Sequence, residues 1–205
     1  MKKINFLSLG KHPITNNFLS NAKPKNEFFY NLKLVYHPET KLISLDDFVS
    51  PKKMFNNSYA HRASASITMR QAYANLAKKI KKKYNPRSIL EIGSNDGVFI
   101  KHFSKIQNIG VEPCKNLADL TTKLEIKTYN KFWTFQLSNK IKKKHGKFDV
   151  IYSANTISHI HKLDETFKAI ENLLNLEGIF ILEDPSLLKS LQKLSYDQFY
   201  DEHAY

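Results

Sequence analysis

A short apolar strand that runs into a glycine-containing turn constrains this chain more than any other feature. Residues 88–97 read Ser-Ile-Leu-Glu-Ile-Gly-Ser-Asn-Asp-Gly, so Glu91 lies near the end of the apolar stretch and the turn holds Gly93 and Gly97. The pattern of residues 97–105 predicts a helix directly after the turn. A strand, a glycine turn and a helix N-terminus can together cradle a nucleotide-like ligand, because glycine allows close backbone approach and the first helical N–H groups point outward.

The residues around this turn indicate which ligand it takes. Their spacing matches neither the phosphate P-loop nor the dinucleotide G-x-G-x-x-G pattern. Glu91 suits a ligand with a cationic or hydroxyl-rich end, and S-adenosylmethionine has both. Residues 108–113 read as a second strand that reaches Glu112, which follows Glu91 by 21 positions. An acidic residue about 20 positions on is typical of ribose binding; the alternative is that both glutamates are solvated strand ends.

Apolar strands alternate with amphipathic helices over most of the chain, whereas residues 1–58 show no sustained period and read as irregular. This alternation predicts a mostly parallel sheet with helices on both faces. Ser66 is the predicted N-cap of a helix that precedes the first of these strands. The predicted strands lie near residues 88–92, 108–112, 125–129, 148–153 and 178–183, with helices near 97–105, 115–124, 132–144 and 163–175.

The carboxyl ends of parallel strands form one edge of a sheet, where ligands bind. Gly93, Glu112 and Asn130 follow three of the predicted strands and are expected at this edge. The loop of residues 153–159 follows a fourth strand and contains His159, either as a functional residue or as an ordinary loop histidine.

Length and composition limit the class of protein. The chain has 205 residues, enough for one domain with an appendage, and it contains no apolar run of about 18 residues that could span a membrane. Its N-terminus lacks the pattern of a secretion signal, so we predict a cytoplasmic protein without a membrane partner. Cys114 is the single cysteine, which excludes an intrachain disulfide framework and a cysteine zinc cluster.

The net charge of +13 raises the possibility of nucleic-acid binding. However, only three of the 32 basic residues are arginines, the residue type that favours bidentate recognition. The lysines concentrate in residues 78–83 and 140–144, at predicted helix C-termini, where they complement the helix dipole. The composition also suits an A/T-rich genome, and we predict that nucleic acid is not the partner.

Five segments in order resemble one family, the S-adenosylmethionine-dependent sugar C-methyltransferases, which methylate a carbon of nucleotide-linked keto-deoxysugars. Residues 9–19 resemble the family's LGxxPLANxFL segment, and residues 91–97 resemble its EIGSNDG loop. Residues 110–113 resemble GVEP, residues 154–160 resemble ANxxxHI, and residues 200–203 resemble YHEH. The resemblance implies a class I (Rossmann-like) methyltransferase domain, with a nucleotide-sugar as the small-molecule substrate.

The resemblance also implies roles for individual residues. The implied cofactor-binding residues are Glu91, Gly93, Asn95, Asp96, Gly97, Glu112, Pro113, Asn130 and Asn155. His203 is the implied base, since the ordinary pKa of histidine lies near neutrality, and Tyr200, Glu202 and His159 are supporting polar groups. Without the resemblance, residues 200–203 would read as a frayed polar terminus. Residues 59–66 resemble a YxYxSSxS segment that makes Tyr59 a further candidate, although a surface aromatic would look the same.

Two features depart from the family pattern. Family members carry an N-terminal zinc module with Cys-x-x-Cys pairs, but His37 and Thr40 stand where one pair would be and the other pair has no counterpart. We therefore predict no metal. The sequence ends two residues beyond His203, before the family's C-terminal domain. We expect a module at residues 1–65, a methyltransferase domain at 66–193 and the start of a further domain at 194–205.

The early end of the sequence leaves three alternatives for the chain, and its positive charge adds a rival function. The chain is a fragment, a degenerate relative, or one half of a split protein that needs a separate C-terminal-domain chain. A non-catalytic binding half and a methyltransferase that acts on RNA or on another small molecule are the rival functions.

Overall fold

The computed structural model describes residues 2–16, 18–19, 27–194 and 200–205. It divides into two compact units. The smaller unit comprises Met1–Tyr59, Ser158–His161 and Asp184–Tyr205, and the larger one comprises Ala60–Ile157 and Lys162–Glu183. The predicted domain boundaries after residues 65 and 193 stay a prediction; Asn17 of the family-like segment and residues 195–199 of the predicted third domain lie outside the described residues.

The larger unit contains a five-stranded sheet in which every neighbouring pair is parallel. Its order is β6-β5-β4-β7-β8. The strands are β4 (Ser88–Ile92), β5 (Gln107–Val111), β6 (Lys127–Tyr129), β7 (Phe148–Ala154) and β8 (Leu174–Glu183). This arrangement confirms the predicted α/β class with a mostly parallel sheet.

Helices cover both faces of this sheet. Ile89 and Leu90 are successive residues of β4, so their side chains point to opposite faces, and both are fully buried. The helices of this unit are α2 (Ile67–Tyr84), α3 (Lys115–Lys123), α4 (Phe135–His145) and α5 (Leu163–Leu173). Ser66 caps α2 as predicted, because its side chain accepts a hydrogen bond from the backbone N–H of Met69.

The helix predicted over residues 97–105 is wrong. The structure has a four-residue 3₁₀ helix, Ile100–Phe103, in its place. The consecutive residues Val98, Phe99 and Ile100 are all buried. An amphipathic surface helix buries one face only, so a segment that must bury three neighbours in succession adopts a tighter and less regular path.

The smaller unit corrects the prediction that residues 1–58 are irregular. Strands β1 (Ile4–Pro13), β2 (Phe29–His37) and β3 (Leu42–Leu45) form an antiparallel sheet in the order β1-β2-β3. Tyr30, Leu32 and Leu34 alternate with more exposed residues along β2 and are buried, which is the period of a half-buried strand. They pack in an apolar cluster with Ile14, Leu45, Val49 and Met54.

Two short helices complete the smaller unit, α1 (Pro51–Met54) and α6 (Leu187–Gln192). Residues 200–205 also belong to this unit: the N–H of Leu45, the last residue of β3, donates to the carbonyl of Ala204 at 3.0 Å. Within the described part of the chain, no helix has both the length and the apolar character needed to cross a membrane.

Candidate functional site

The predicted cofactor-binding residues come together at the carboxyl edge of the parallel sheet. Gly93 follows β4, Glu112 and Pro113 follow β5, Asn130 follows β6, and Asn155 follows β7. These strands are neighbours in the sheet, so one edge collects residues that are up to 62 positions apart in the sequence. The backbone joins the two innermost turns, because the N–H groups of Gly93 and Ser94 both donate to the carbonyl of Val111.

Glu91 is a buried carboxyl group at the end of β4, with an exposed fraction of 4%. Among the described residues, its Oε2 has no hydrogen-bond partner, and the same holds for Asp96 Oδ1 and Ser94 Oγ in the following turn. Burial, followed by the charges of Glu112 and Asp96, raises the pKa of Glu91 well above its ordinary value. These three buried oxygen atoms fit a ligand that brings a positive charge or hydroxyl donors.

Glu112 links the two innermost turns of the edge. Its Oε2 accepts a hydrogen bond from the N–H of Asn95 at 2.9 Å, and its Oε1 accepts one from the N–H of Cys114 at 2.8 Å. Burial raises the pKa of Glu112, and the two backbone donors oppose that rise. The carboxylate is therefore held rigidly beside the turn that contains the unpaired acceptors, and its role toward a ribose stays a prediction.

Three of the predicted polar residues support the backbone at this edge. Asn95 Oδ1 accepts from the N–H of Ala63 at 3.0 Å, and Asp96 Oδ2 accepts from the N–H of Ser64 at 3.2 Å. The side-chain amide of Asn130 donates to the carbonyls of Glu112 and Pro113. Asn155 is exposed, and its backbone N–H donates to the carbonyl of Glu183 at 2.6 Å.

The glycines of the turn have positive φ and tight surroundings. Gly93 has φ +73°, and a Cβ atom there would lie 2.1 Å from Thr156 Oγ1. Gly97 has φ +78°, and a Cβ atom there would lie 3.0 Å from the methyl carbon of Thr121 on α3. Packing against protein side chains therefore accounts for both glycines. The sequence interpretation assigned no role to Thr156, since nothing in its spacing indicates contact with Gly93.

The predicted catalytic residues all lie in the smaller unit, and ring contacts connect several of them. The rings of His159 and His203 stack with centroids 5.0 Å apart, and the ring of Tyr200 lies 4.4 Å from that of His203. Phe55 contacts the rings of both Tyr59 and His159. The structure thus joins residues that are more than 140 positions apart.

Glu202 is the carboxylate of this cluster and has an exposed fraction of 2%. Its Oε2 accepts from the Tyr59 hydroxyl at 3.0 Å, and its Oε1 accepts from Asn16 Nδ2 at 2.5 Å. Burial raises the pKa of Glu202, these two donors lower it, and the charge of Asp201 raises it further. Asn16 lies within a family-like segment, but no role for it was predicted.

His159 is neutral at physiological pH, because burial and the neighbouring His203 lower its pKa to about 3. Its Nε2 is buried and lacks a hydrogen-bond partner among the residues the structure describes. A general base works best with a pKa near the operating pH, so His159 suits a hydrogen-bonding role better than that of the base.

Comparison with known proteins identifies the family. Residues 59–205 match the family model described as "Methyltransferase domain". The chain belongs to this methyltransferase family. This membership confirms the predicted class of enzyme and S-adenosylmethionine as the predicted cofactor.

Relatives of this methyltransferase differ widely in sequence. The C-methyltransferase NovU of Streptomyces niveus is 24% identical over 206 residues, which cover 98% of this chain and 49% of NovU. The chain therefore spans about half the length of the curated relative it matches.

A solved S-adenosylmethionine-dependent methyltransferase from Archaeoglobus fulgidus shares the fold, with a TM-score of 0.52, 17% identity, and coverage of 64% of this chain and 61% of that one. The solved DesVI of Streptomyces venezuelae has a TM-score of 0.47, 14% identity, and coverage of 59% and 52%.

Residues 1–55 match a second family model, described as "Putative zinc binding domain". This stretch contains no cysteine. His37 Nε2 pairs with Ser44 Oγ at 2.8 Å, and Asp46 pairs with Lys3 and Lys33. The described residues include no group of three or more histidine, cysteine or acidic side chains placed to hold a metal. The described side chains do not supply the ligands that zinc requires. The absence of metal stays a prediction.

Proposed function

We propose that this chain carries the cofactor-binding and proton-transfer residues of a C-methyltransferase that acts on a nucleotide-diphosphate keto-deoxysugar. The observation that carries the proposal is the set of buried, unpaired acceptor atoms of Glu91, Ser94 and Asp96 beside the turn after β4. Their burial favours a ligand with both positive charge and hydroxyl groups. The match to the C-methyltransferase NovU and the family-like segments support transfer to carbon and a sugar substrate.

The polar cluster of the smaller unit suits proton abstraction next to a ketone. His203 takes the proton from the carbon next to the ketone, which is the carbon to be methylated, and this leaves an enolate. When bound, S-adenosylmethionine supplies the methyl group that this carbon attacks, and its sulfur leaves as a neutral thioether. His159 is neutral and can donate or accept a hydrogen bond at the substrate oxygen. Glu202 holds the Tyr59 phenol in place.

The position of the lysines supports a small-molecule substrate over RNA. The last turns of α2 and α4 carry Lys81, Lys82, Lys83, Lys142, Lys143 and Lys144. Helix α2 ends just before β4 begins, and α4 ends just before β7 begins. These lysines therefore lie toward the amino ends of the strands, whereas the glycine turn lies at the carboxyl edge. An RNA reader would need positive charge along the approach to the cofactor.

A second candidate is a half-protein that needs a separate chain for turnover. The chain covers 49% of NovU, and this candidate applies only where the unmatched half of that relative acts as a separate polypeptide. In this case the chain binds the cofactor and supplies His203, while a second polypeptide contributes contacts to the nucleotide-sugar. Cytoplasmic location stays a prediction for either candidate.

Calorimetric titration tests the cofactor site. We expect S-adenosylmethionine and S-adenosylhomocysteine to bind the wild-type chain. Glu91→Gln should weaken S-adenosylmethionine about tenfold, since it removes a buried charge that faces a cation. The loss for S-adenosylhomocysteine should be smaller because its sulfur is neutral. Glu171→Gln is the matched control, since Glu171 is exposed on α5. Absence of binding by the wild type, or equal affinities for all three proteins, would refute the cofactor site.

A second experiment tests the base and the need for another chain. Methyl transfer is measured with the wild-type chain alone and after addition of a polypeptide that corresponds to the unmatched half of NovU. Activity only in the mixture supports the half-protein. In whichever form is active, His203→Asn should abolish methyl transfer and leave the affinity for S-adenosylhomocysteine unchanged. Unchanged turnover would exclude His203 as the base.

A further inference from the structure

Two adjacent carboxyl groups are buried in the tight turn that ends at His203. The N–H of His203 donates to the carbonyl of Tyr200 at 3.2 Å, so residues 200–203 form a β-turn with Asp201 and Glu202 at its centre. We call residues 200–203 the acidic turn. The exposed fractions of Asp201 and Glu202 are 1% and 2%. Neighbouring buried carboxyl groups repel each other and lose hydration, so they require strong donors.

Consecutive residues of the N-terminal module provide these donors. Both the N–H and the hydroxyl of Thr15 donate to Asp201 Oδ1, at 3.0 and 2.5 Å. The side-chain amide of Asn16 donates to Glu202 Oε1 at 2.5 Å. Thr15 and Asn16 lie two and three residues after Pro13, the last residue of β1. Each carboxyl group at the centre of the acidic turn therefore has its own donor residue, and the two donor residues are neighbours in the sequence.

A backbone contact fixes the chain on the other side of His203. The N–H of Leu45 donates to the carbonyl of Ala204 at 3.0 Å, and the N–H of Tyr205 donates to the carbonyl of Ser158 at 3.2 Å. Residues on both sides of His203 are thus anchored, and its ring lies against that of His159. The antiparallel sheet, together with its loop, restricts the position of one imidazole.

From these contacts we infer that Thr15 and Asn16 are positioning residues: they fix the acidic turn and thereby set the place of the His203 imidazole. The module that resembles a zinc-binding domain then serves, without metal ligands, as the support for the acidic turn. The inference rests on the proposed function insofar as His203 is called the base. The restraint on the turn itself is measurable without any cofactor or substrate.

The test compares variants by amide hydrogen exchange and by the NMR signals of the histidine rings in the full chain. Asn16→Leu and Thr15→Val each remove a side-chain donor without adding charge. We expect the His203 and Tyr205 amides to exchange about tenfold faster or more in both variants. The ring signals of His159 and His203 should shift. Thr15→Ser keeps the hydroxyl and should restore wild-type exchange.

Lys33→Met is the matched control in the same module. It removes the 2.9 Å ion pair with Asp46. Among the described residues, no hydrogen bond or ion pair joins the Lys33 side chain to the acidic turn, so exchange at His203 and Tyr205 should keep its wild-type rate. Wild-type exchange in both Asn16→Leu and Thr15→Val would overturn the inference. An equal acceleration in Lys33→Met would also overturn it, because general loosening of the module would then explain the result.

Titration of the same variants with S-adenosylhomocysteine separates this inference from the proposed function. The cofactor residues lie in the larger unit, so the affinity should equal that of the wild type. A wild type that binds no S-adenosylhomocysteine would refute the proposed function, and the exchange rates would still decide whether Thr15 and Asn16 restrain the acidic turn. Weakened binding in Asn16→Leu without faster exchange would refute the positioning role.

Discussion

Glu91 is a single residue whose burial lowers stability and whose proposed role is to bind the cofactor. A carboxyl group that lacks a partner for one oxygen is costly to bury, and the neighbouring acidic residues Asp96 and Glu112 raise the cost. Leucine or isoleucine would extend β4 without this penalty. Retention of an acid at such a position is expected when a ligand offsets its charge.

The first prediction therefore concerns the stability of Glu91→Gln without ligand. Because folding raises the pKa of Glu91, its contribution to stability is fully present below the ordinary glutamate pKa and is lost as the pH rises through the folded-state pKa. Glutamine resembles the protonated form at every pH. We expect the variant to gain about 1–3 kcal/mol at about pH 8 and little at about pH 4. Thermal unfolding at both pH values measures the difference.

A melting temperature equal to that of the wild type at the higher pH would contradict this view of Glu91. Glu171→Gln again serves as the control, since an exposed carboxylate should change neither value. A stabilised variant that also binds S-adenosylmethionine more weakly would show that the same charge serves binding at the expense of stability.

At the level of elements, the turn after β4 and the loop after β7 fit together at one pair of residues. Thr156 Oγ1 occupies the space that a side chain at residue 93 would need. The same hydroxyl donates to the carbonyl of Ala154 at 2.9 Å, which fixes its orientation. Neither element could change its path here without displacing the other.

The second prediction tests this fit with a double-mutant cycle. Gly93→Ala should destabilise the chain by about 2–4 kcal/mol, because alanine is strained at positive φ and its Cβ overlaps Thr156. Thr156→Ala should cost about 1 kcal/mol for the lost hydrogen bond. The double variant should be more stable than the sum of the single effects predicts, by about 1 kcal/mol. Chemical denaturation of the four proteins measures this coupling, and strict additivity would contradict the contact.

At the level of the whole molecule, the described residues of the N-terminal module form a core of apolar side chains. An apolar cluster on one face of the antiparallel sheet and the ion pairs of Asp46 with Lys33 and Lys3 occupy the region that matches a zinc-binding family. Lys33 and then Lys3 lower the pKa of Asp46 through their hydrogen bonds. Both ion pairs are partly exposed and contribute little, so apolar packing is the main source of stability.

The third prediction is that the whole chain folds independently of zinc. Metal analysis of the purified protein should find far less than one zinc per chain. Thermal unfolding should be the same with and without EDTA, because a structural zinc site would lose about 10 kcal/mol of binding energy on chelation. Cys114 is buried in the folded chain. Because unfolding exposes its thiol to oxidation, the test should be run with a reductant present. Stoichiometric zinc, or a large loss of stability with EDTA, would contradict the prediction.

The sequence by itself determined the elements whose signals are local. Strand β4 has the predicted bounds, Ser88–Ile92, because a short, mostly apolar run before a glycine is a buried strand or a short buried helix, and its length favours the strand. The alternation of strands and helices then sufficed for the parallel sheet. The edge that collects the predicted cofactor-binding residues follows from this topology, since successive parallel strands end on the same side.

Only the tertiary structure decided the contacts between distant segments. Thr15 and Asp201 are separated by 186 positions, and no local period or spacing indicates that two such residues share a hydrogen bond. The same applies to Thr156 over Gly93 and to the 3₁₀ segment near Phe99, whose path depends on the surfaces that bury it. Secondary structure follows from patterns within a few residues, whereas side-chain partners depend on which surfaces the completed fold brings together.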